Sequence, residues 1–327
     1  MVRRCAIVDL SCDLHDNSLH PESQPRLLNA IKGIPEDVPR IAPGPADISD
    51  IHRIHDPHYT AWLKERCSDA VTLAHLDADT YVTPHSFEVA RMAAGGALAA
   101  LDHALAGEHA FAFVRPPGHH SERSRAMGFC LFNSVAIAAH KALDIVDRVA
   151  IIDWDVHHGN GIQNAFYLSN RVLYCSIHQD PMFPFTGRIE EIGNGTGKGF
   201  TINVPLPNGA AIADYQTVFS EIFMPAIGRF RPDIIIVPAG QDMLCDDPIG
   251  GMNIRPEDMA VLTSMLVRST DSALALVLEG GYGPSHGAAV AHIYAALDKP
   301  LEIPAPLTPR PGTRAIVDLV KKVHRLP

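Results

Sequence analysis

The chain has 327 residues, 46% of them hydrophobic and 20% charged, with a formal net charge of −10. Such a chain is long enough to bury one continuous core without disulfides. An acidic sequence with no Lys/Arg-rich run has no electrostatic footprint for gripping nucleic acid directly or an anionic membrane.

Taken in chain order, short runs rich in Val, Ile and Phe recur at 5–10, 110–114, 149–153, 172–177, 201–204, 234–237 and 274–278, and these read as strands. Segments 86–106, 131–143, 211–228 and 256–270 have helical composition, with Pro256 suited to a helix start. Apolar strands alternating with helices predict a mainly parallel α/β sheet covered on both faces. No repeat or linker divides the chain, so a single domain over 1–327 is expected, with a Pro-rich stretch at 300–311 setting off a tail at about 300–327. Six scattered cysteines without a C-x-x-C pair read as reduced thiols of a cytoplasmic protein. The apolar run at 5–10 is too short for a signal peptide, and no window reaches the roughly 18 apolar residues of a membrane helix.

Residues 193–199 (Gly-Asn-Gly-Thr-Gly-Lys-Gly) invite a phosphate-loop reading, which the spacing defeats. Ile192 stands where the first Gly is needed, and Gly199 where Ser or Thr is needed. A Gly-rich turn leading into the next strand is the reading that remains.

Four polar motifs follow predicted strands: Arg115-Pro116-Pro117-Gly118-His119-His120, Asp153-Trp154-Asp155-Val156-His157-His158-Gly159-Asn160, Gly240-Gln241-Asp242 and Glu279-Gly280-Gly281-Tyr282. Ligands of open parallel sheets bind beyond the carboxyl ends of the strands, so four strand ends are expected to meet at one place. At a period of two, Asp153, Asp155 and His157 project from one side of the chain. With Asp242 they offer a cation site in which Asp155, His157 and Asp242 leave a position open, as catalytic zinc requires. The Asp-x-Asp-x-His-His run also reads as a helix cap or a solvated loop, and the residues alone leave both open. His119 and His120 are adjacent, so their side chains are expected to diverge. Two non-ligand imidazoles suit acid/base work, and Tyr282 suits stabilisation of charge developing on a substrate oxygen; each also has a purely structural reading.

These residues, with Gly128-Phe129-Cys130-Leu131-Phe132-Asn133, Asp247-Pro248, His20-Pro21-Glu22, Arg26-Leu27, Ile54-His55-Asp56 and Tyr59, resemble in order and spacing the zinc-dependent histone deacetylase family, including its bacterial acetylpolyamine amidohydrolase and acetoin-utilisation relatives. The resemblance spans about residues 15–295. It implies an arginase-like fold with an eight-stranded mainly parallel sheet, and one Zn2+ per chain on Asp155, His157 and Asp242. By the same resemblance His120 is the general base, and His119, paired with Asp153, helps protonate the leaving amine. Tyr282 would donate to the acyl oxygen, Phe129 and Phe183 would wall the channel, and the Gly128 carbonyl would face the substrate amide. Structural K+ positions would map onto Asp153, Asp155, His157, Ser176 and Ile177, with Phe166, Ser169 and Val172 near a second.

Three departures stand out. Asn160 replaces an aspartate common in the family, which implies a less basic His120 and a class II-like branch. Ser134 replaces a second asparagine, for which no functional account follows. Ile249 occupies a rim position where a polyamine-selective branch uses glutamate. The resemblance implies an amidohydrolase acting on acylated lysine in peptides or proteins, with acetylated polyamines as the alternative substrate. A binding protein that reads acyl-lysine without turnover would lack a ligand, the base or the tyrosine, and none is missing; a two-manganese hydrolase would need more bridging carboxylates. Association into homo-oligomers stays open.

Overall fold

A computed structural model of the chain describes residues 3–303 and 307–327. Ten strands are present among them: β1 (Arg4–Val8), β2 (Arg40–Ile41), β3 (Ala74–His75), β4 (Tyr81–Val82), β5 (His109–Phe113), β6 (Val149–Asp153), β7 (Val172–Gln179), β8 (Thr201–Leu206), β9 (Ile234–Pro238) and β10 (Leu274–Val277). Eight of them form one sheet in the order β2-β1-β5-β10-β9-β6-β7-β8, and β3 and β4 form a separate ribbon. Every pairing of the large sheet is parallel, which gives the arginase-like architecture of eight strands flanked by helices. Among the described residues no helix is long and apolar enough to cross a membrane.

The strand pattern explains the two layers of helices. Along β5, Phe111 and Phe113 belong to one buried cluster while Ala110 and Ala112 belong to the other, as the alternation of side chains in a strand requires. The alanines admit the helix Ser86–Leu105 at close range: a Cβ at Gly96 would lie 2.5 Å from Cγ1 of Val114. The phenylalanines fill the opposite layer beside Tyr294, at ring-centroid distances of 6.3 Å. Truncating a buried ring of this kind costs about 3–5 kcal/mol.

Seven of the eight strands of the sheet lie where the apolar runs predict them. The exception, β2, is two residues long and partly exposed, so it carries no apolar run to notice. The expected helix at 211–228 is interrupted. An α-helical segment Ile212–Val218 passes through a π-helical turn, Phe219–Phe223, before Met224–Phe230 resumes the α-helix. Pro225 has no N–H to give the carbonyl four residues back, which accounts for the break in regular bonding. The expected tail contains the helix Pro311–His324, which buries Val317 and Val320 in the same core as β8.

Candidate active site

The strands that carry the four polar motifs, β5, β10, β9 and β6, are consecutive in the sheet. Their carboxyl ends therefore deliver the motifs side by side.

Asp155, His157 and Asp242 each offer a ligand atom, and these atoms lie within 4.8 Å of one another in a buried cluster. Backbone N–H groups anchor both carboxylates, Asp242 through Oδ1 and Asp155 through both oxygens, with Asp155 Oδ1 accepting from the His157 N–H at 2.9 Å. Asp242 Oδ1 accepts from the Val156 N–H at 2.9 Å, and Asp155 Oδ2 from the Gly280 N–H at 2.8 Å. Asp155 Oδ1 and Asp242 Oδ2 stand 3.2 and 3.0 Å from His157 Nδ1. Two carboxylate oxygens and one imidazole nitrogen converging on a point fit a divalent cation of the zinc type with a coordination position left open. The backbone makes room for them. A Cβ at Gly240 would lie 2.1 Å from Asp155 Oδ2, and one at Gly280 would lie 2.1 Å from Asp242 Oδ2. Without a cation the charges conflict: burial and the neighbouring Asp155 push the Asp242 carboxyl up to about 7.

The loop after β5 is held from the end of β10, where Glu279 Oε2 accepts from the Gly118 and His119 N–H groups at 2.6 and 3.0 Å. His119 Nδ1 is 3.3 Å from Asp153 Oδ2, which also accepts from the Tyr174 hydroxyl at 3.0 Å. His120 Nδ1 meets Asn160 Oδ1 at 2.9 Å. The two rings do not diverge as adjacency suggests. Their centroids are 4.0 Å apart and both face the same cavity; the partner of His119, Asp153, ends β6, and the partner of His120, Asn160, opens the helix Asn160–Phe166 that follows. Their environments differ in sign. Burial alone would lower His119, but Asp155 and Asp153 outweigh it and raise the imidazole to about 10. Burial, followed by the charges of His119 and His157, puts His120 well below the ordinary histidine range. One imidazolium and one neutral imidazole thus stand together, the separation that acid and base assignments require.

A cavity of about 120 Å³ opens above these groups. Phe129 and Phe183 wall it, Ile249 and Asp79 also line it, and Tyr282 borders it beside Phe129 at a ring-centroid distance of 5.9 Å. Gly128 has φ +55°, and a Cβ there would lie 2.6 Å from His120 Cδ2, so the wall can approach the His120 ring only through a glycine. Tyr282 is fixed by its N–H to Asp247 Oδ2 at 2.6 Å, with the Arg26 guanidinium 5.1 Å from its ring centroid.

The residues expected at monovalent-cation positions lie on neighbouring segments. Asp153 and Ser176 are register partners across β6 and β7, with Ile177 next along β7. Phe166 ends the helix Asn160–Phe166, its carbonyl accepts from the Ser169 N–H at 2.9 Å, and Val172 opens β7.

Sequence reasoning assigned no role to two features of the site. Asp79, in the turn between β3 and β4, lines the cavity; the only signal for it was an acidic turn, Asp77-Ala78-Asp79, of a kind that is usually solvated. Glu22 binds Arg115 through both oxygens at 2.7 and 2.8 Å and Arg26 at 3.1 Å. This buried network ties the N-terminal segment to the strand end that carries the histidines, and only the long-range fold brings its members together.

A parallel arginase-like sheet with a buried Asp-His-Asp group, paired histidines and a tyrosine at the carboxyl edge defines a class of hydrolases. Within that class the chain belongs to the histone deacetylase family: the profile of the histone deacetylase domain matches residues 20–297. The chain is 40% identical over 278 residues to a histone deacetylase-like amidohydrolase of Pseudomonas aeruginosa, covering 81% of this chain and 72% of that protein. It is 35% identical over 307 residues to histone deacetylase 8 of Arabidopsis thaliana, covering 88% and 80%. The crystal structure of the HDA15 HD domain superposes with a TM-score of 0.90 at 29% identity, covering 98% of this chain and 94% of that one. The protein is accordingly a deacetylase-type hydrolase acting on amide bonds.

Proposed function

We propose that the protein is a zinc-dependent amidohydrolase that removes acyl groups, most simply acetyl, from lysine side-chain amines of peptides or proteins in the cytoplasm. The observation that carries this reading is the Asp155, His157 and Asp242 cluster lying at the floor of a narrow aromatic-walled cavity, with His119, His120 and Tyr282 at its edge. Zinc held by these three residues would supply Lewis-acid polarisation of the acyl oxygen and acidify water at the site.

The chain's own groups supply the remainder. His120 keeps its Nδ1 proton on Asn160 Oδ1 and accepts the proton of the attacking water at Nε2. Charged His119, steadied by Asp153, gives a proton to the departing amine. The Tyr282 hydroxyl donates to the acyl oxygen as it gains negative charge. Phe129 and Phe183 grip the aliphatic stem and exclude water, and the Gly128 carbonyl accepts from the substrate amide N–H. Potassium at the Asp153, Asp155, His157, Ser176 and Ile177 positions, and a second ion near Phe166, Ser169 and Val172, would stiffen the segments that carry the metal ligands.

Asp79 on the cavity lining favours a second substrate class, acetylated polyamines, because a carboxylate there attracts a cationic tail. Ile249 provides no such attraction. Comparing kcat/KM for an acetyl-lysine peptide with that for acetylputrescine decides between them. The first reading expects the peptide to be preferred; a clear preference for acetylputrescine would replace it with the second.

A further inference from the structure

At the amino edge of the sheet, opposite the catalytic cavity, lies a larger cavity of about 620 Å³ that the hydrolase reading does not use. Its charged lining residues are Arg148, Lys198, Arg229 and Arg325, with no Asp or Glu among the lining residues. In a chain of net charge −10 such segregation is unusual, and among the described residues none of the four cations pairs with a carboxylate. Two of them are held by main-chain acceptors. Arg148 Nη1 donates to the Phe230 carbonyl at 2.9 Å and Arg229 Nη1 to the His324 carbonyl at 3.0 Å, leaving the other guanidinium N–H groups for a ligand. His324 also lines the cavity. It is 6% exposed, and its Nε2 is buried without a hydrogen-bond partner. Burial, reinforced by Arg229 and opposed by the Gly199 backbone, pushes this imidazole down to about 4, so it is neutral at pH 7. The floor is apolar, built from Leu173, Phe200, Phe230 and Val323, with Phe200 and Phe230 packed edge to face at 5.7 Å.

The Gly-rich turn at 193–199 contributes Lys198 and Gly199 to this cavity. Its N–H groups do not form an anion cradle: those of Gly197, Gly199 and Phe200 are spent on Asn194, Ile192 and Gly197 carbonyls. Recognition there falls to side-chain cations, not to the backbone.

We propose that this cavity is a second ligand site, which takes a small organic phosphate: a dianionic head among Arg148, Lys198, Arg229 and Arg325, and an apolar body against Phe200 and Phe230. Guanidinium forks match phosphate oxygens in geometry as well as charge. A single carboxylate would leave most of the cationic charge unanswered. The volume is that of small-molecule pockets.

The test is calorimetric titration of the full chain with 1-naphthyl phosphate, inorganic phosphate and 1-naphthol, repeated on the Lys198→Glu/Arg325→Glu variant. Both positions are exposed. One saturable site is expected for naphthyl phosphate, at least about tenfold tighter than for either fragment, with at least about a tenfold loss in the double variant. Lys198→Gln alone should weaken binding in the same direction, which keeps the test decisive if the double variant does not fold. Absence of saturable binding, equal affinity in parent and variants, or inorganic phosphate binding as tightly as the naphthyl ester would overturn the proposal.

Discussion

Asn160 Oδ1 accepts from Nδ1 of His120 at 2.9 Å, and the orientation of the amide is set from its other end, where Nδ2 donates to Glu122 Oε1 at 2.8 Å. Turning the amide over would place its NH2 group against a ring nitrogen and its oxygen against a carboxylate. The arrangement therefore keeps the proton on Nδ1 and leaves the Nε2 lone pair available.

Replacing Asn160 with Asp adds a negative charge beside a ring whose basicity is already depressed by burial, His119 and His157. A raised pKa means that the base stays protonated to a higher pH. The acidic limb of the kcat/KM profile is expected to move upward by about one unit or more. A pH-rate profile of Asn160→Asp checks this, and an unmoved limb would show that His120 is not the group titrating there.

Tyr282→Phe removes one hydroxyl and leaves the backbone bond to Asp247 in place. Loss of a donor to a developing oxyanion costs about a hundredfold or more in kcat. The expected result is that loss with KM and bound zinc little changed. A variant as fast as the parent would remove the tyrosine from the chemistry.

Gly280→Ala places a methyl carbon 2.1 Å from Asp242 Oδ2. That carboxylate must move, and a weakening of metal retention of about tenfold or more is expected if it holds the ion, by analogy with disturbances to groups that orient ligands. Zinc content after graded chelator dialysis measures it. Retention equal to the parent would mean that Asp242 does not hold the ion through that oxygen.

The Glu22–Arg115 pair is buried on both sides. Burial alone would raise the Glu22 carboxyl, but Arg115, His15 and Arg26 outweigh it and hold it well below the ordinary value of 4.5. A carboxyl depressed on folding stabilises the native state above its unfolded pKa, and that stability is lost as pH falls through the folded value. Urea unfolding at a series of pH values should therefore show stability declining below about pH 4.5, with part of the slope absent in Glu22→Gln. At neutral pH that variant is expected to be less stable by about 3–5 kcal/mol, since it leaves Arg115 buried without its partner.

Much of this was legible in the sequence because the relevant signals are local. An apolar run ending in a polar motif reveals both a strand and the end of it that faces the ligand, which is why Asp153, Asp155, His157 and Asp242 could be assembled on paper. Strand order was not legible, since nothing in the run 274–278 says that β10 inserts between β5 and β9. Asp79 escaped for a related reason: its place on the cavity lining depends on where the β3–β4 ribbon packs. The helix Pro311–His324 was hidden behind prolines that read as a boundary, while its docking residues Val317 and Val320 show their role only against β8.

Metal-dependent hydrolysis at the Asp155, His157 and Asp242 site is decided by following deacetylation of an acetyl-lysine peptide by enzyme stripped with chelator and then titrated with zinc. Stripped enzyme should be inactive, activity should return with one zinc per chain, and Asp242→Ala should regain none. Full activity in verified metal-free enzyme, or recovery in the Asp242→Ala variant equal to the parent, would contradict it.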